Sequence, residues 1–139
     1  MKKENLTNVH IVCMTKGGVG KSTFTSPLST MLYLNNPEKQ INIFELDDFN
    51  EAEKVKSSFI NHQTLKLKST EIIIDEVQYH SLSDSSLINI IDAGGGVSTK
   101  VVLAKLKEIE LKNSNYYLPL CTDIDQIKNI KDTINLILE

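Results

Sequence analysis

Eight consecutive residues hold most of the chemistry that this sequence can offer. The run KGGVGKST, Lys16 to Thr23, contains Gly17, Gly18 and Gly20, two lysines and two hydroxyls. Gly17, Gly18, Val19 and Gly20 form a stretch in which the backbone can turn tightly and aim successive N–H groups at one anion. Lys21 would bring a mobile ammonium to the outer phosphates of a nucleotide, and the Ser22 hydroxyl a ligand for magnesium. The run matches G-x-x-x-x-G-K-[ST] except at its first position, where Thr15 replaces glycine. An apolar stretch, Val9 to Met14, precedes it, and a helix-compatible segment, Ser22 to Leu34, follows. Strand, glycine loop and helix in that order is the context a phosphate-binding loop requires. The helix beginning near Lys21 would add its positive dipole end to the same point.

A phosphate loop binds; hydrolysis also needs carboxylates to hold metal and place water. INIFELDDFN, Ile41 to Asn50, offers Asp47 just past an apolar strand. LINIIDAGGG, Leu87 to Gly96, ends a strand in Asp92 and continues into glycines. EIIIDEV, Glu71 to Val77, offers Asp75 and Glu76 after apolar residues and taken alone fits the usual metal-binding strand better. The glycines behind Asp92 favour Asp92, because a phosphate-sensing loop needs them. Asp47 and Asp48 could also simply open a polar turn.

The elements that must position these groups alternate along the chain. Strands are expected at Val9–Met14, Ile41–Leu46, within 65–74, at Leu87–Ile91 and at Tyr116–Cys121. Helices are expected at Ser22–Leu34, Glu51–Phe59, Ser98–Leu111 and Asp123–Leu138. The apolar faces expected are Leu28, Met31, Leu32 and Leu34 in the first helix, and Val101, Val102, Ala104, Leu106 and Ile109 in the third. The stripe Ile124, Ile127, Ile130, Ile134 and Ile137 on the last helix reads as core packing, since its polar face is not the basic one a membrane surface favours. Short apolar strands between helices predict an α/β fold, a mostly parallel sheet covered on both faces. Ligands of such sheets sit at the carboxyl ends of the strands, where the glycine loop, Asp47, Asp92 and Thr122 all fall.

With 139 residues, 40% hydrophobic and 24% charged, the sequence predicts one domain, 1–139, with an ordinary core. A net charge of -3 argues against a whole-surface nucleic-acid footprint. No apolar run reaches the length of a membrane span, and MKKENLTN lacks a secretory h-region, so a cytoplasmic protein is expected. Cys13 and Cys121 read as reduced interior cysteines, and His10, His62 and His80 as scattered surface or edge residues.

Lys16, a second lysine opening the loop, resembles the deviant Walker A motif of the ParA/MinD-type P-loop ATPases. INIFELDDFN resembles that family's switch I, LINIIDAGGG its Walker B and switch II, and YYLPLCTD its proline-containing strand. Glu45 stands where aspartate is more usual, Asp48-Phe49 where Pro-Gln is common, and the glycine loop after Asp92 lacks the family's proline. The resemblance implies an ATP-dependent homodimer and slow, partner-stimulated, magnesium-dependent ATP hydrolysis. Lys16 would reach the partner's phosphates, and Lys21, Ser22 and Thr23 would bind phosphate and metal in cis. Asp47 would position water and share the magnesium shell with Ser22 and Asp92, and Gly96 N–H would meet the terminal phosphate. The expected role is plasmid or chromosome partitioning with a ParB-like activator. Conjugative transfer or other cargo positioning, or a regulatory nucleotide-binding module without turnover, are the alternatives. Family members usually continue past the point where this sequence stops, into the adenine-reading residues and the nonspecific DNA-binding patch. The expected readings are a C-terminally truncated form, a minimal variant, or part of a longer protein.

Overall fold

The computed structural model describes residues 8–14, 21–48, 57–83, 86–111, 114–119 and 124–139, with the backbone alone at 21–23. Its strands are β1 (Val9–Val12), β2 (Gln40–Leu46), β3 (Ile60–Leu65), β4 (Leu87–Ala93) and β5 (Ser114–Tyr117). Its helices are α1 (Lys21–Asn35), α2 (Thr70–Ser83), α3 (Val97–Glu108) and α4 (Ile124–Leu138). The five strands form one sheet in the order β3-β2-β4-β1-β5, every pair parallel. The sheet carries α1 on one face and α2, α3 and α4 on the other. This is the α/β sandwich, a parallel sheet covered on both faces, expected from the alternation of elements.

Central strands β2 and β4 are apolar on both faces because both faces are covered. Ile41, Ile43, Ile88 and Ile90 pack with Leu28 and Leu32 of α1. Phe44, Leu46, Ile91 and Ala93 point the other way, onto Ile73, Ile74, Val77, Val102, Leu103 and Leu106. Cys13 is buried in that second layer, while Cys121 lies outside the described residues.

Several expectations are corrected. No strand runs through 65–74: β3 stops at Leu65, a 3-10 turn spans Leu67–Ser69, and α2 begins at Thr70. The β-branched run Ile72–Ile74 suggests a strand locally, but the buried positions Thr70, Ile73, Ile74 and Val77 repeat at three and four, the helical period. Residues 51–56 of the helix expected at Glu51–Phe59 lie outside the described residues, and 57–59 are not helical. Met31 and Leu34 of α1 face solvent, as do Val101 and Ala104 of α3, where Leu103 turns inward instead. The isoleucine stripe of α4 is split: Ile130 and Ile137 are half-buried, whereas Ile124, Ile127 and Ile134 are exposed. His10 is buried rather than superficial, and donates to or accepts from the Tyr117 hydroxyl at 2.9 Å across β1 and β5.

Candidate functional site

Among the described residues, Asp92 lies near the carboxyl end of β4, Asp47 just past β2 and Gly96 at the start of α3. β1 leads to Met14, the last described residue before the glycine loop. Lys16, Gly17, Gly18, Val19 and Gly20 lie outside the described residues. Lys21, Ser22 and Thr23 are placed only as the first residues of α1, and their side chains are not described. Met14 is buried just past β1 and α1 begins at Lys21, a strand-then-helix order that a helix-terminus anion site requires.

Asp92 sits on β4, immediately beside β1, in register with Val12. Its side chain is buried, and Oδ2 accepts a 2.8 Å hydrogen bond from Thr25 Oγ1. Thr25 lies one helical turn beyond Lys21. That bond brings the carboxylate under the first turn of α1. Glu45 on β2 is the in-register neighbour of Asp92 on the other side. It is equally buried, and His62 Nε2 on β3 lies 3.0 Å from Glu45 Oε2. Two carboxylates on adjacent strands of one sheet face, each donated to by a fixed partner, form an acidic floor beside the helix start. Burying such charges is costly without compensating cations or donors.

Asp47 is half-buried at the end of β2, its N–H bonded to Leu65 O at 3.1 Å. It packs onto the loop after Asp92: a Cβ added to Gly94 would stand 2.6 Å from Asp47 Cγ. Gly94 N–H in turn donates to Leu46 O at 2.9 Å. Asp48 is a turn residue, its Oδ1 accepting from Leu67 N–H at 3.0 Å and its carbonyl from Lys66 Nζ at 2.7 Å. Gly96 opens α3 at φ 62°, a conformation that favours glycine. Asp75 and Glu76 are exposed on α2, and Glu76 pairs loosely with His80 at 3.9 Å. They do not end a strand.

Two groups escaped sequence reasoning. Thr99 in the first turn of α3 accepts from Met14 N–H at 3.2 Å and donates to Gly94 O at 2.7 Å. One hydroxyl thus couples the entry of the glycine loop to the loop after Asp92. Nothing in V-S-T-K marks it. Thr25 is the other; its place one turn into α1 was its only signal. His62 lies on the edge strand β3, as a surface or edge histidine is expected to, and its contact with Glu45 has no local sequence signal. Among the described residues, no three His, Cys, Asp or Glu side chains converge as a ready metal cage.

The fold has counterparts among solved structures. A nucleotide-binding protein from Archaeoglobus fulgidus, solved in complex with ADP, superimposes with a TM-score of 0.55 at 16% identity. That match covers 98% of this chain and 65% of the other, so the chain spans just under two thirds of that protein's length. The MinD cell division protein of Aquifex aeolicus aligns at a TM-score of 0.47 and 13% identity, over 94% of this chain and 78% of that one. No protein-family model and no curated protein matches the sequence. The likeness to the Archaeoglobus protein bears on the sandwich fold alone, and among the described residues no helix is long and apolar enough to cross a membrane.

Proposed function

We propose that the chain binds ATP at the carboxyl edge of β1 and β4 and works as a ParA/MinD-like ATP-dependent dimerisation switch. The observation carrying this reading is the 2.8 Å bond from Thr25 to Asp92, which sets a buried carboxylate beneath the helix that Lys21, Ser22 and Thr23 open. The ADP held by the Archaeoglobus nucleotide-binding protein, whose fold this chain shares, supports the same reading. In this reading Gly17, Gly18, Val19 and Gly20 wrap the phosphates with backbone N–H groups, and Lys21 and Thr23 complete the cradle.

Magnesium fits the donors present. Asp92 is buried and oriented, Asp47 lies against the same loop, and Ser22 stands in the first turn of α1 one turn from Thr25. Hard oxygen donors of this kind suit magnesium, which keeps several waters and needs few protein ligands. When bound it would neutralise charge on the β- and γ-phosphates. Asp47 orients water, Gly96 offers its N–H to the terminal phosphate, and Lys16 stabilises charge on a partner's nucleotide as an arginine finger does. Thr99 gives the switch a route: a shift of Gly94 on phosphate contact is felt at Met14, where the glycine loop starts. Plasmid or chromosome partitioning with a ParB-like activator is the proposed cellular use.

Light scattering on size-exclusion eluates with ATP and magnesium tests the switch. Wild type is expected to dimerise with ATP, and Lys16→Ala to bind ATP yet remain monomeric. A wild type that stays monomeric while saturated with ATP contradicts the switch.

A further inference from the structure

Helix α4 buries two polar side chains fully and leaves four of its apolar ones exposed. Its buried residues are Gln126 and Thr133, the latter with its hydroxyl 2.8 Å from Asn129 O and 3.8 Å from Met14 Sδ. Its outer side shows Ile124, Ile127, Ile134 and Leu138, which are 81%, 62%, 40% and 79% exposed. With Lys131 between them, these positions alternate three and four residues apart, the spacing of a coiled-coil core seam over two heptads. Lys131 occupies the central core position of that seam and is exposed. No described carboxylate forms an ion pair with it. The helix is already held against the domain through its opposite side, so a partner would meet a preformed surface about 20 Å long.

We infer that this seam docks an amphipathic helix of a partner protein that carries a glutamate or aspartate at its own central core position, facing Lys131. The spacing selects a helix, because knobs three and four apart fill holes only in another helix. The lysine selects the charge, since an ammonium enclosed by isoleucine and leucine needs a paired carboxylate. A second copy of this chain supplies none. Parallel pairing would set Lys131 on its twin, antiparallel pairing would set it on isoleucine, and Asp125 and Asp132 lie off the seam. An anionic membrane suits the surface less, because Asp125, Asp132 and Glu139 flank the two lysines. The inference stands apart from the nucleotide reading.

The test uses two labelled synthetic peptides of three heptads with isoleucine and leucine core positions, one with glutamate at the central position and one with lysine. Fluorescence anisotropy against the 139-residue chain should show the glutamate peptide binding at least about tenfold tighter. Lys131→Glu should reverse that preference, and Ile127→Asp, at an exposed position, should weaken both. Binding of neither peptide, or equal binding whatever residue stands at 131, overturns the inference. So does Ile127-dependent sedimentation with phosphatidylglycerol–phosphatidylcholine vesicles without peptide discrimination. An Ile127-dependent dimer of the chain at the same concentration would assign the seam to self-association and overturn it as well.

Discussion

Single side chains decide how the glycine loop is tied to the rest of the sheet. Thr99 is buried, and its hydroxyl both accepts and donates. Thr99→Val keeps the shape and removes both bonds, leaving Met14 N–H and Gly94 O without that partner. A loss of about 1–3 kcal/mol is expected in urea unfolding, from the cost of buried unsatisfied groups, with weaker ATP binding alongside. Unchanged stability would remove Thr99 from the account. Gly94 is constrained by contact rather than by conformation. The methyl of Gly94→Ala would press on Asp47, at 2.6 Å from Cγ. Overpacking of this kind costs about 1–3 kcal/mol, and here it should also displace Asp47, so ATP turnover is expected to fall further than stability. Asp47, Asp92 and Gly96 are candidates in the sequence because Asp47 follows an apolar run, Asp92 ends one and Gly96 closes the glycine run behind it. The sequence could not show Thr99, Thr25 or His62, whose value comes from which strand or helix lies across from them. Glu45 was visible only as a departure from aspartate, and its pairing with His62 at 3.0 Å across β2 and β3 is a consequence of register.

At the scale of elements, α2 is where local preference and tertiary burial disagree. Ile72, Ile73 and Ile74 are β-branched and suggest a strand, in which Ile72 and Ile74 would share one face. In the helix they do not: Ile74 is fully buried and Ile72 is 70% exposed. Ile74→Ala should therefore cost about 2–5 kcal/mol, whereas Ile72→Ala should stay within about 0.5 kcal/mol. Equal losses by thermal or chemical unfolding would restore the strand. The same element settles where Asp75 and Glu76 sit, since a helix carries them outward, away from the strand ends. Strands β1, β2 and β4 were legible because their apolar runs are buried on both faces. Element boundaries and the facing of α1, α3 and α4 were less so, because an apolar stripe does not say which neighbour covers it.

For the whole molecule, layer order follows from alternation of strand and helix, and the sheet order puts the strand of Asp92 beside the strand that feeds the loop. The far edge of that sheet sets an alkaline limit. Burial raises Tyr116 above the ordinary tyrosine value of 10.0, against a smaller lowering by Ser114. A phenol whose folded value is raised contributes stability that is complete below about pH 10 and is lost as pH climbs through the folded value. Urea midpoints should thus fall above pH 10, and Tyr116→Phe should lessen that fall. An unaltered alkaline profile in the variant would place the titration elsewhere. If nucleotide binds only the folded sheet, ATP at about 100 times its dissociation constant should stabilise it by about 2.7 kcal/mol.

The most direct measurement is calorimetric titration of ATP with magnesium into the wild type, Asp92→Asn and Asp75→Ala. The wild type and Asp75→Ala are expected to bind alike, and Asp92→Asn to lose about tenfold or more of the magnesium-dependent affinity. Absence of ATP binding by the wild type, or loss of the magnesium dependence in Asp75→Ala with Asp92→Asn intact, would contradict a nucleotide site at the carboxyl edge of β1 and β4.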